Sequence, residues 1–169
     1  RIRAITEKLY LRSAGQTAVR SITAPALSEI QSRLPVDSAL LEYYAHGDDL
    51  WVFVVQHDGI TAHRLPQTPT DVGSQIERLQ LNIDRALRLG QTGPQDQLRQ
   101  HFEGIAARLY VALLAPISAA LADCSRLYIV PSGALHYLPF HLLRGTNGYL
   151  IETHEIVTLP AAALLTRPA

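Results

Sequence analysis

Between Ala39 and Leu65 the apolar and aromatic residues come in three short runs, Ala39 to Ala45, Leu50 to Gln56 and Ile60 to Leu65. The breaks between them are turn chemistry: His46-Gly47-Asp48-Asp49, then Asp58-Gly59. Asp-Gly between two strand-like runs is a strong short-range hairpin signal. The spacing predicts a three-strand meander over 39–65. Leu50 to Val55 is almost continuously apolar, which predicts a strand covered on both faces. The third run mixes Ile60, Ala62 and Leu65 with Thr61, His63 and Arg64, as an edge strand does. The meander is therefore expected to extend a larger sheet.

Elsewhere the period lengthens. Ile2, Ile5 and Leu9 fall on one helical face before Gly15, so residues 1–20 are expected to be the tail of a preceding helical region. Leu27, Ile30 and Leu34, with Pro25 before and Pro35 after, predict a short helix. Val72, Ile76, Leu79, Ile83 and Leu87 step by helical intervals over about five turns, ended by Gly90. Leu98, Phe102, Ile105 and Leu109 begin another helix, which Pro116 divides before Ile117, Ala120 and Leu121. Leu127 to Val130 reads as a buried strand closed by Pro131-Ser132-Gly133. Leu138 to Leu143 clusters around Pro139 as a single helical turn, Gly145 to Gly148 is a loop, and Tyr149 to Leu159 holds one or two further strands. Pro160 opens a last helix through Leu165. Strands alternating with long helices imply an α/β fold with a mixed sheet flanked by helices.

Composition narrows the function classes. The 169 residues are 47% hydrophobic, and a domain near this size buries roughly 68–70% of the surface its unfolded chain exposes, so no disulfide framework is needed. The longest apolar stretches, such as Val111 to Ala115, fall far short of the ~20 residues of a membrane span. The 15 basic residues balance 15 acidic ones and are scattered, which leaves no electrostatic footprint for nucleic acid or an anionic membrane. One Cys excludes an intrachain disulfide, and with no leader-like pattern a reducing cytoplasm is the expected location. The chain contains no Met and begins at Arg1, from which it is expected to be a piece of a longer protein.

The candidate chemistry is sparse. Cys124 sits beside Asp123, whose charge disfavours the thiolate, so it reads as a structural thiol. The seven histidines, His46, His57, His63, His101, His136, His141 and His154, show no metal-ligand spacing, although His57 and His63 flank a hairpin and could face each other across it. His46-Gly47 is explained by its turn. Ser132 follows a strand, but Val130 stands where a nucleophile elbow needs glycine, so it reads as a turn serine. Asp84 and Arg88 are an i, i+4 pair on a solvated helix face. No catalytic, cofactor-binding or metal-ligating residue is assigned, and no cofactor is expected.

One long stretch carries a resemblance. Leu127-Tyr-Ile-Val-Pro-Ser-Gly-Ala-Leu-His-Tyr-Leu-Pro-Phe-His-Leu-Leu143, followed by Tyr149-Leu-Ile-Glu-Thr-His-Glu-Ile-Val-Thr-Leu-Pro160, resembles the first half of a CHAT domain, a caspase-like family related to separase. Leu34 to Tyr43, Trp51 to Val55 and Leu113 to Ile117 resemble the entry region of that family. The likeness spans about Leu27 to Leu165, so residues 21–169 are expected to form the N-terminal portion of such a domain. One departure is Pro160-Ala161 where the family has Pro-Ser, a lost helix cap that costs on the order of 1 kcal/mol and leaves the last helix frayed or displaced.

The resemblance implies a caspase-like mixed sheet, truncated here, and members that commonly follow tetratricopeptide-type repeats. It also implies a catalytic His, followed by Gly, and a Cys after the next strand, both beyond the position of Pro160. No position in this chain matches either motif. The expected function is thus a non-catalytic N-terminal fragment of a CHAT domain whose parent is a caspase-like cysteine endopeptidase. The alternative is a scaffold or regulatory interaction module with an inactive caspase-like fold. Expected partners are proteins or peptides recruited by the parent's helical repeats, with no nucleic acid and no membrane. A homo-oligomer could form through an exposed sheet edge near Tyr149 to Leu159.

Overall fold

The computed structural model describes residues 25–89 and 95–166. The helical reading of residues 1–20 and the domain boundary at 20/21 lie outside them, as does Gly90.

Helix α1 (Leu27–Arg33) starts where the Glu29 carboxylate reaches back to accept the Ala26 N–H at 3.0 Å, and it stops before Pro35. The meander forms as expected: β1 (Ser38–His46), β2 (Asp49–Gln56) and β3 (Gly59–Arg64) are joined by tight turns. Register runs Leu41↔Val54 between β1 and β2, and Val54↔Thr61 between β2 and β3. β4 (Arg126–Val130) then adds parallel to β1, and β7 (Glu155–Thr158) parallel to β4, giving the sheet order β3-β2-β1-β4-β7. Three antiparallel strands thus pass into a parallel half, in one five-stranded mixed sheet with β3 on its edge.

Two helices provide the connection from β3 to β4. Thr68 caps α2 (Pro69–Leu89): its Oγ1 accepts the Asp71 N–H at 3.1 Å and donates to the Asp71 carboxylate at 2.8 Å. Val72, Ile76 and Leu79 of α2 are buried and Ile83 is packed against them, but Leu87 is 76% exposed. The apolar stripe therefore leaves the core a turn early, because a 21-residue helix rises about 31 Å and outruns the sheet beneath it. Asp84 and Arg88 are both exposed and no ion pair joins them. α3 (Gln95–Leu113) buries Leu98, Ile105 and Leu109, and Pro116 opens a 3-10 helix (Ala115–Leu121) bent 67° from it. Among the described residues no single helix is long and apolar enough to cross a membrane.

Between β4 and β7 the chain makes two 3-10 turns (Gly133–Tyr137 and Phe140–Leu142), a small hairpin of β5 (Arg144–Gly145) and β6 (Gly148–Tyr149), and the single-turn helix α4 (Leu150–Thr153). The region expected to be one or two strands after Tyr149 is therefore a helical turn followed by one strand. Gly133 takes φ +56, which allows the chain to reverse directly after β4. The last element is a 3-10 helix (Ala162–Thr166), shorter than the helix the apolar run suggests.

The core lies on one face of the sheet. Ala39, Leu41 and Tyr43 of β1, Leu50, Val52 and Val54 of β2, and Leu127 and Ile129 of β4 pack against α2, α3 and the 3-10 segments, with Leu135, Leu138, Phe140 and Leu143 sealing the end near β7. Tyr43 donates its hydroxyl to the Leu113 carbonyl at 3.3 Å inside this core, and burial pushes its phenol far up. On the opposite face a small cluster of Leu34, Leu40, Val55, Val130 and Ala162 is covered by α1 and the terminal 3-10 helix. The expectation that β2 is covered on both faces fails in part. Trp51 and Phe53 are only half-buried, because the apolar run reflects an apolar outer face that the described helices do not reach.

Candidate functional site

The parallel half of the sheet positions two adjoining concavities. The larger, about 880 Å³, is an open groove along the free edge of β7, walled by Leu138, Pro139, Phe140 and His141 on one side and by Ile151, Thr153 and His154 on the other. Its floor is Glu155, Ile156 and Thr158 of β7 itself. Glu155 is occupied: Arg126, its register partner on β4, donates Nε to Oε2 at 2.7 Å. The groove is thus apolar along its walls, with histidines at its rims.

The smaller cavity, about 290 Å³, lies beneath the β5–β6 hairpin and is lined by Tyr110, Ser118, Cys124, Asn147, Thr153 and His154 among others. Cys124 is a free thiol, 7% exposed. Gln56 Nε2 approaches its sulfur at 3.6 Å, and the sulfur faces the Ala120 carbonyl at 3.9 Å. Burial is the main cause that pushes this thiol up; Asp123 and Asp37 add to it, and the Gln56 contact opposes it. The sequence pointed to Asp123, whereas desolvation is the larger effect. His154 shares the cavity and is held by Thr153 Oγ1 at 2.8 Å from Nδ1. Burial pushes its ring down, against hydrogen bonds to the backbone of Leu121 and Leu150.

A Cys–His pair works as nucleophile and base when its surroundings favour thiolate and imidazolium. Here burial pushes the thiol up and the imidazole down, the opposite of what such a pair needs. The hairpin that roofs the cavity is clamped to α3. Arg144 Nη1 pairs with Glu103 Oε2, the Arg144 guanidinium lies 5.8 Å from the Tyr149 ring centroid, and Tyr149 donates to Glu103 Oε1 at 3.4 Å. Burial pushes the Tyr149 phenol up, with the Glu103 charge adding to it. Nothing in the spacing of Glu103, Arg144 and Tyr149 announces this clamp, since it is assembled across 41 and 46 residues of sequence.

The remaining candidates are placed apart. His57 sits in the two-residue turn after the Gln56↔Gly59 pair, while His63 is opposite Val52 several pairs away, so the two do not face each other. Instead His57 lies 3.8 Å from Asp58, and His63 Nε2 meets Thr61 Oγ1 at 2.9 Å. His46 stacks with Tyr44 at the β1–β2 turn, 6.4 Å between centroids. His101, His136 and His141 are exposed on separate elements. Ser132 has ordinary extended dihedrals, φ −126 and ψ 142, with none of the strain of a nucleophile elbow. Among the described residues, no group of three or more His, Cys, Asp or Glu side chains is arranged to hold a metal ion.

A five-stranded mixed sheet, antiparallel at one side and parallel at the other, with helices packed on it, is consistent with a caspase-like fold. The family model of the CHAT domain, a caspase-like family, matches residues 103–169, so that part of the chain is similar to a CHAT domain. The match takes in the second half of α3, β4, the hairpin, both concavities and β7. The meander precedes it but is tied to it by the β1–β4 pairing. A comparison with curated proteins finds no match.

Proposed function

We propose that the described residues are the non-catalytic scaffold of a CHAT domain whose parent protein acts as a caspase-like cysteine endopeptidase. The observation that carries this reading is Cys124. It is the chain's one thiol, and it is buried, raised toward the neutral form and engaged by Gln56, in a segment that the CHAT match covers. In this reading the sheet and the β7 groove hold substrate and framework, and the thiolate that attacks the peptide carbonyl comes from elsewhere in the parent. Assayed on a peptide library, this chain is expected to give no thiol-dependent turnover. Hydrolysis that iodoacetamide blocks and Cys124→Ala abolishes would overturn the reading.

A second reading, a scaffold that recruits protein partners, is favoured by the β7 groove. Its apolar walls beside a free strand edge fit an extended peptide added as a further strand. The partners are proteins or peptides, brought in by helical repeats of the parent. Binding of extended apolar peptides that Ile156→Asp removes, with no cleavage by the parent, distinguishes this reading from the peptidase.

A further inference from the structure

The chain has two asparagines, and the fold gives them opposite surroundings. Asn82 is 9% exposed inside α2 and is followed by the β-branched Ile83, whose N–H is held by the helix. Asn147 stands at the tip of the β5–β6 hairpin, where Thr146 and Asn147 connect the closing pair Gly145↔Gly148. Its side chain is exposed and hydrogen-bonds to no described residue. The residue after it is glycine, and the fold requires that glycine twice. Gly148 takes φ +111, and a Cβ there would collide with Glu152 Oε2, the oxygen that accepts the Tyr149 N–H and starts α4. The geometry that winds α4 therefore leaves Asn147 beside a residue with no side chain to shield its backbone nitrogen.

That pairing has a covalent chemistry of its own. When the Gly148 nitrogen attacks the Asn147 side-chain carbonyl carbon, an N–Cγ bond forms and closes a five-membered imide. The Cγ–Nδ2 bond breaks, and the nitrogen leaves as ammonia with the proton that Gly148 gives up. Water then opens the imide at either carbonyl, giving aspartate or, with the main chain rerouted through the side chain, isoaspartate. Nothing is oxidised or reduced, and water is the only co-reactant. The hairpin has two residue pairs, too few to hold on its own, so its tip frays and frees the Gly148 nitrogen. Its base stays clamped by Arg144 and Tyr149 on Glu103, and Gly145 lies against the Tyr110 ring with no room for a Cβ. An isoaspartate adds a main-chain methylene between Gly145 and Gly148, at the rim of the cavity that Asn147 and Cys124 both line.

We propose that Asn147 is a self-modification site, converted through a succinimide with Gly148 to aspartate and isoaspartate, and that the isoaspartyl form opens the hairpin roof over Cys124. The whole chain, incubated in warm, mildly alkaline buffer, is expected to gain about 1 Da, the difference between an amide and an acid. Peptide mapping should place the gain and the isoaspartate at Asn147, with Asn82 unchanged. Isomerisation at Asp58-Gly59 would leave the mass unaltered, so the map separates the two sites. Retention of the Asn147 amide in the folded chain, under conditions where the urea-unfolded chain loses it, overturns the proposal. Cys124 is the chain's one thiol, so its rate with an aromatic disulfide reagent reads the roof. That rate is expected to rise several-fold as isoaspartate accumulates. It should stay constant over the same incubation in Asn147→Gln, whose longer side chain closes a ring far more slowly. Equal rates for the fresh chain and its isoaspartyl fraction overturn the link to the cavity, and so does an equal rise in Asn147→Gln.

Discussion

Cys124 and His154 are the two residues at which a peptidase-like reading of this chain would be most tempting, and burial disfavours the charged form of each. A neutral thiol is a weak nucleophile, and a ring whose protonation is disfavoured cannot hold a thiolate as its counter-ion. The same desolvation has a consequence for stability. His154 is pushed below the ordinary imidazole value, so below about pH 6.5 the unfolded chain binds the proton more readily than the folded one. By linkage its contribution to stability is present above that pH and is lost as pH falls toward the depressed folded value. Melting temperatures measured from neutral pH to mildly acid pH are expected to fall more steeply for the parent chain than for His154→Gln. Parallel curves would show that the ring's burial carries no such linkage.

At the level of elements, periodicity named the helices but not the depth at which each turn sits. Leu87 and Leu109 both occupy apolar positions of regular helical stripes, yet Leu87 is 76% exposed and Leu109 is wholly buried. Leu109→Ala is expected to cost about 2–5 kcal/mol, the usual range for emptying a core leucine site. Leu87→Ala should stay within roughly 0.5 kcal/mol, as for surface substitutions. Urea denaturation of the two variants measures both, and similar midpoints for the two would contradict the assignment of α2's last turn to solvent. Local rules worked where one residue type carries a backbone constraint. Asp58-Gly59 placed a turn, Pro116 ended α3, and Gly133 reversed the chain after β4. They failed after Tyr149, where Glu152 reaches back to the Tyr149 N–H at 2.6 Å and winds a helical turn out of a segment with strand-like composition.

For the whole molecule, the sheet order leaves β3 and β7 at the two edges. The two edges differ in character. β3 alternates small and polar residues with Arg64 pinned to Asp49, whereas β7 carries Ile156 and Val157 beside the apolar groove. Glu155 and Leu159 donate their N–H groups inward to β4, which turns the N–H groups of Ile156 and Thr158 outward. Self-association through β7 is the expected outcome, seen as a sedimentation coefficient that rises with concentration. Thr158→Pro removes one outward donor and is expected to suppress the rise; a chain that sediments as a monomer at every concentration rules out pairing through this edge.

The amino-acid order alone determined which stretches are strands and helices across 39–143, the turns that separate them, the α/β class and the CHAT resemblance, now matched over residues 103–169. Those features are short-range: a period, a glycine or a proline acts within a few residues. Only the tertiary structure decided that the meander joins the parallel half through β1 and β4, that Cys124 and His154 line one cavity where burial disfavours their charged forms, and that Glu103, Arg144 and Tyr149 clamp the hairpin. It also decided that the outer face of β2 is left uncovered by the described helices, since desolvation, ion pairing and coverage depend on which distant surfaces meet, and no local pattern encodes that.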